Sequence, residues 1–325
     1  MLHFHADGIL WKLYRENVAF IITNNVCNRN LNKRVSPKKV GDILKIGFIG
    51  AGKVGFSLGK YFAEHDLHVS GYYSRNLNSA KEAAIFTCSY YYETLEDIIK
   101  ESDTLFLTVS DSEIAKIYSD ILKYNLRGKI VVHCSGAMTS EIFSGISQKG
   151  ALGCSVHPIC AVSNKQTGYQ DLSKAFFTIE GEENNKIFTM LQRCGNTVER
   201  LSSQNKIKYH AAAVFASNLV VSLYEYGSSL LKECELSEDF ANKALIPLFL
   251  QNCKNIVEKG TIQALTGPLE RGDEETIRKH LSVLPTKEKD LYCLLSEGLL
   301  SVARKKNQER DYEKIKKLLE DRTIK

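Results

Sequence analysis

The stretch Lys45-Ile-Gly-Phe-Ile-Gly50-Ala-Gly52-Lys-Val-Gly55-Phe-Ser-Leu-Gly59 restricts the fold of this chain more than any other. It sets three glycines at G-x-G-x-x-G spacing behind a short apolar run. Gly50 permits the tight turn after a strand, Gly52 lets the backbone approach a pyrophosphate, and Gly55 lets the next helix pack closely on the sheet. The helix N-terminus then faces the phosphate charge. Such spacing is weak evidence alone, so its surroundings carry the argument. Residues 45–49 read as a buried strand, 57–63 as helix, and 68–73 as a second strand at the spacing of a βαβ unit. The implied ligand is a nicotinamide or flavin dinucleotide, cradled by Gly50, Ala51, Gly52, Lys53, Val54 and Gly55.

The end of the second strand selects among dinucleotides. An NAD site usually carries Asp or Glu there, on the ribose 2′-hydroxyl. This chain has Tyr73-Ser74-Arg75-Asn76. Ser74 can donate to a 2′-phosphate and Arg75 can grip it as a charged fork, so NADP(H) is the expected cofactor. The same residues also fit a polar loop on a solvated edge.

Short strands and helices continue to alternate, with strands at 104–109, 129–133, 153–156, 175–179 and 197–201. A helix runs through 114–122 behind the capping residues Ser110-Asp111-Ser112. This pattern specifies an α/β fold with a doubly wound, mostly parallel sheet. From about residue 203 it changes to long helices, at 206–234, 237–259, 273–282, 286–304 and 311–320. The expected organisation is therefore an N-terminal extension (1–44), an NADP-binding Rossmann domain (45–202) and an all-helical substrate and dimerisation domain (203–325).

Charge and cysteines exclude several function classes. The net charge is +5, but residues 1–44 hold seven Lys or Arg against three Asp or Glu. The remainder carries 36 against 35 and lacks the electrostatic footprint of a nucleic-acid binder. A basic-tail nucleic-acid binder would lose its binding on deletion of residues 1–40. No apolar run approaches the ~20 residues of a membrane span. Nine cysteines without a CxxC pair read as reduced thiols in the cytoplasm, with no metal site. Residues 1–44, with the asparagine cluster at 24–32 and too short an apolar run for a secretory signal, are expected to be a disordered tail or an over-extended start.

Sheets of this kind bind ligands beyond the carboxyl ends of their strands. Val109 and Ser110 end the 104–109 strand and join the expected cofactor contacts. Ser135 and Gly136 in His133-Cys-Ser-Gly could line the nicotinamide side, and His157 in His157-Pro158 could face substrate. Asp111 fits a helix cap equally well, and His133 a satisfied buried imidazole. The helix opening Lys206-Ile-Lys208-Tyr209-His210 places Lys206 one turn before His210, with Ser217 and Asn218 two turns beyond. A reductase needs a general acid, which an imidazole near neutrality suits; Ser217 or Asn218 could hold the substrate. The same stripe would suit a helix whose His caps a loop and whose Asn bridges two helices. In Ala264 to Asp273, Arg271 is a natural carboxylate partner and Thr266 a hydrogen-bonding contact, while Asp273 fits an N-cap.

In the glycine loop, His-Cys-Ser-Gly at 133–136, His157-Pro158, the 210–218 segment and 264–273, the chain resembles bacterial Rossmann-type oxidoreductases with a C-terminal domain of unknown function, over about residues 44–285. Their plan is similar to that of the 6-phosphogluconate-dehydrogenase-like enzymes, which include ketopantoate, pyrroline-carboxylate and β-hydroxyacid reductases. The resemblance implies a two-domain NADPH-dependent reductase, dimeric through its helical domain, acting on a small 2-oxo acid, with ketopantoate the leading substrate. An imine or prephenate-type substrate and a non-catalytic NADP-binding redox sensor are the alternatives. Ketopantoate reductases carry a catalytic Lys on the first long helix of the second domain, with Asn one and two turns on. Here Lys206 is followed by His210 and Val214, so either His210 replaces the lysine, with Asn218 retained, or Lys206 or Lys208 serves. Ser110 stands where those enzymes have proline.

Overall fold

A computed structural model describes residues 44–182 and 185–321. The expected N-terminal extension thus lies outside the described residues, apart from Leu44. The chain divides into two compact units after Val214.

The first unit is an eight-stranded sheet in the order β3-β2-β1-β4-β5-β6-β7-β8. Its strands are β1 (Lys45–Ile49), β2 (His68–Tyr73), β3 (Tyr90–Tyr92), β4 (Thr104–Leu107), β5 (Ile130–His133), β6 (Leu152–Ile159), β7 (Phe176–Gly181) and β8 (Val198–Arg200). All neighbouring pairs are parallel except β6 and β7. The interior strands are apolar runs buried on both faces, as parallel sheets require. One face buries Phe48, Phe56, Phe62, Tyr72 and Phe106, the other Ile49, Leu105, Leu107, Ile114 and Val131.

The crossover helices are α1 (Lys53–Glu64), α2 (Leu77–Thr87), α3 (Leu95–Glu101) and α4 (Asp111–Ile121), followed by α5 (Gly168–Leu172), α6 (Asn185–Arg193) and α7 (Lys206–Phe215). Helix α1 starts directly behind the glycine loop, four residues before the expected helix at 57–63. The expected single helix over 206–234 is corrected to two, because Ser217 leaves helical geometry at φ −128° and ψ −83°. Its hydroxyl bonds Asn218 Oδ1 at 3.1 Å. Serine and asparagine side chains offer such local bonds in competition with the helix backbone. As a result α7 goes with the sheet unit, and α8 (Asn218–Glu233) opens the other.

The second unit continues with α9 (Glu238–Ala264), α10 (Pro268–Arg271), α11 (Glu274–Val283), α12 (Thr286–Lys306) and α13 (Glu313–Glu320). Non-helical geometry at Gly260 breaks α9 near its end. Leu269, Ile277, Leu281, Leu300, Tyr312, Ile315 and Leu319 form its core. Asp273 caps α11, accepting from the Thr276 amide at 3.0 Å. No helix among the described residues is long and apolar enough to cross a membrane.

Candidate active site

The glycine loop is clamped from the sheet side and open on the other. Gly50 sits at φ 111°, where side chains are strained. Its amide donates to Tyr73 O and its carbonyl accepts from Thr108 Oγ1, both at 2.8 Å. A Cβ on Gly55 would run into the Thr108 hydroxyl and lie 2.5 Å from Gly50 O. That contact is the close helix-to-strand approach the spacing requires. At Gly52 the nearest atom to such a Cβ is 3.9 Å away. No side chain caps α1 at Gly52, so its first amides keep the positive end of the helix available to an anion. This open backbone cradle fits a dinucleotide pyrophosphate. Beside it, Gly52, Tyr73, Ser74, Arg75, Val109 and Ser110 border a cavity of about 220 Å³.

A second cluster lies where β5, β6 and β7 run side by side. Their register places His133 beside Ser155 and Ser155 beside Glu180, a polar row across three strands. Lys206, at the start of α7, is wholly buried and bonds Ser155 Oγ, with Glu180 Oε2 3.8 Å from its Nζ. Glu180, itself 2% exposed, also accepts from the Ser140 amide at 2.8 Å, the Ser140 hydroxyl at 2.9 Å and the Ser203 hydroxyl at 2.8 Å. Burial pushes the Lys206 ammonium pKa down while Glu180 opposes the shift.

Two residues further along the strands, His157 pairs with Thr178, and one helical turn beyond Lys206 stand Tyr209 and His210. Two strand residues span ~6.7 Å and four helical residues ~6 Å, so the two polar layers stay in step. Thr178 Oγ1 donates to Tyr209 OH at 3.0 Å. The tyrosine hydrogen is then free to go to His157 Nδ1, 2.7 Å away. With Nδ1 accepting, neutral His157 carries its proton on Nε2. Burial first, and the Lys206 charge second, lower the His157 pKa to about 4. His133 shows the same lowering to about 4 for the same two reasons. Its Nε2 donates to Thr139 O at 3.2 Å and its Nδ1 accepts from the Ser135 amide at 3.3 Å.

Gly136 lies where the two remaining imidazole edges meet. A Cβ there would be 2.8 Å from His157 Nε2 and 2.5 Å from His210 Nδ1. His210 Nδ1 is buried and has no hydrogen-bond partner. The ring centroids are 6.0 Å apart at 81°. The pair thus presents one N–H donor and one unengaged nitrogen at the carboxyl ends of β5 and β6.

The structure brings His157 and His210 together and groups Gly50 to Gly55 with Ser74, Arg75, Val109 and Ser110. Ser135 is committed elsewhere, its hydroxyl donating to Asp111 Oδ2 at 2.6 Å while accepting from the Met138 amide at 3.0 Å. Lys208 is exposed on α7. Ser217, Asn218, Thr266 and Arg271 are exposed in the second unit, the last two flanking and ending α10. Sequence reasoning missed Tyr209, Thr178, Ser155 and Glu180. A glutamate inside the apolar run Phe176–Gly181 was the available signal, since a carboxylate there demands a buried partner. Among the described residues no group of His, Cys, Asp and Glu could hold a metal ion.

Two family models match the chain, a Rossmann-like domain over residues 34–158 and a domain of unknown function (DUF2520) over residues 175–298. The order of the two matches, a Rossmann-like domain and then that domain of unknown function, is the one the resemblance in its motifs implied. The second match begins at β7, inside the sheet. Among solved structures, a Bacteroides fragilis protein designated an NADP oxidoreductase is 23% identical with a TM-score of 0.61, the match covering 80% of this chain and 98% of that one. A Thermotoga maritima protein is 24% identical at the same TM-score, covering 82% and 100%. A reductive aminase from Aspergillus terreus in complex with NADPH and ethyl levulinate is 14% identical with a TM-score of 0.53, covering 86% and 93%. At these identities the likeness is one of fold. No curated protein sequence matches.

Proposed function

We propose that the chain is an NADP(H)-dependent oxidoreductase that reduces the carbonyl of a small 2-oxo acid, with ketopantoate the first substrate to try. The reading is supported above all by the convergence of His157 Nε2 and the unpartnered His210 Nδ1 at Gly136, on the same sheet edge as a glycine loop left open at Gly52. The solved NADP oxidoreductase and reductive aminase of the same fold agree with it. The nicotinamide, when bound, supplies the hydride. His157, neutral and fixed by Tyr209, donates a hydrogen bond that orients the substrate oxygen. His210 gives the proton. Lys206 is less suited to proton transfer, because its ammonium is already bonded to Ser155 and paired with Glu180.

A cyclic imine is the second reading, favoured by the same pair of imidazoles, which suit a nitrogen as well as an oxygen. A homodimer is part of the proposal. The second unit leaves Val221 71%, Leu248 62%, Leu250 60% and Val257 86% exposed, more apolar surface than a lone helical bundle usually tolerates. Cys134, Cys154, Cys160 and Cys194 of the sheet unit are free thiols, which suits a reducing compartment such as the cytoplasm.

The test is NADPH oxidation by the purified chain with ketopantoate, other 2-oxo acids and cyclic imines, beside His210→Ala. Turnover that falls at least ~100-fold in the variant, the lower end of the range for a general acid, supports the proposal. Tight NADPH binding without turnover on any substrate overturns the reductase reading and favours a redox sensor.

A further inference from the structure

The cation best placed to hold a 2′-phosphate is already engaged. The Arg75 guanidinium meets the Glu113 carboxylate at 2.8 Å, and both border the cavity beside the glycine loop. Glu113 stands three residues behind Ser110, the N-cap of α4, at the Ser-x-x-Glu spacing of a capping box. The box is not made. Ser110 offers α4 no side-chain cap, its hydroxyl lies 3.2 Å from Ser112 Oγ, and Glu113 reaches across the cavity instead.

This pairing bears on which dinucleotide the cavity takes, and so rests on the reading above. A site for NAD carries a carboxylate that accepts from the ribose 2′-hydroxyl, usually at the end of the second strand. Here β2 ends at Tyr73 with no carboxylate following, but Glu113 brings one to the same cavity from α4. A 2′-hydroxyl finds that acceptor in place. A 2′-phosphate must draw Arg75 off Glu113 and then lie near a bare carboxylate of like charge.

We propose that Glu113 is a specificity-determining residue, which restrains Arg75 so that the cavity favours NADP(H) only modestly and also accepts NAD(H). The test titrates NADPH and NADH, by the change in their fluorescence, into the full-length chain, Glu113→Gln and Arg75→Ala. The wild-type affinities should lie within about tenfold of each other. Glu113→Gln should tighten NADPH about fivefold, or ~1 kcal/mol, the upper end for an exposed ion pair. It should leave NADH unchanged or weaker, so that the preference for NADPH rises. Glutamine serves the third position of a helix as well as glutamate does, so the fold is kept, and a far-ultraviolet melt verifies this. A preference within twofold of wild type in Glu113→Gln overturns the inference while leaving the cofactor reading intact. Failure of the wild-type chain to bind either dinucleotide, or NADPH binding untouched by Arg75→Ala, overturns the cofactor reading and this inference with it.

Discussion

Replacing Lys206 by methionine should damage folding far more than cofactor binding. Methionine fills most of the same volume but leaves Glu180 as a buried carboxylate without its counter-ion. Removing one partner of a buried pair costs about 3–5 kcal/mol. Glu180 retains the Ser140 amide and the Ser140 and Ser203 hydroxyls, which places the expected loss near the lower end, ~3 kcal/mol. For a sheet unit of ~170 residues the unfolding entropy is ~0.36 kcal/mol/K, so the melting temperature should fall by ~8 °C. The glycine loop is untouched, and NADPH affinity should stay within about threefold. The assay is a double-mutant cycle by thermal or urea unfolding of Lys206→Met, Glu180→Gln and the double variant. Glutamine keeps an acceptor for the serine donors while removing the charge. The double variant should recover at least ~2 kcal/mol of the summed losses, within the range of coupling between residues in contact. Additive losses, or a Lys206→Met chain as stable as wild type, would refute the argument that the pair is a structural element and return Lys206 to the list of candidate acids.

Two further outcomes follow from the geometry. His133 and His157 have folded-state pKa values near 4 against 6.5 when unfolded, so their stability contribution is complete above pH 6.5 and declines as the pH falls toward 4. Fully buried His133 should add ~1.4 kcal/mol per pH unit to the slope in that window, and urea midpoints of His133→Gln should show a flatter slope than wild type. Sedimentation at micromolar concentration should give a dimer, and Val257→Asp on the exposed face of α9 should shift it toward monomer; a monomeric wild type contradicts the dimer proposal.

The architecture was legible because the glycine loop and the alternation of apolar runs with helices are local signals. Direction is not local. The strand at 176–181 reads as a strand whether it pairs parallel or antiparallel, and its reversal against β6 is fixed by the chain between 160 and 175. β3 escaped because three tyrosines, Tyr90 to Tyr92, are too few to show a period. The break at Ser217 escaped because alanines before it and aliphatics after it continue a helical pattern across the gap. At the site, His157 and His210 were visible as polar residues at strand end and helix start. Their meeting at Gly136 was not, since it depends on three segments far apart in sequence. Glu113 was hidden because an acidic residue in the first turn of a helix is ordinary.

The buried pair also limits how α7 can lie. A helix docked by apolar contacts alone can roll or slide, since one methyl surface replaces another at little cost. A helix with an ammonium seated between Ser155 and Glu180 cannot, because turning it by a single residue, about 100°, would break the Lys206 bond to Ser155 and strand the carboxylate beneath it. Lys206 therefore acts as a key in a slot. The aim of the imidazole one turn further along is set by a charge that need never touch what the imidazole faces.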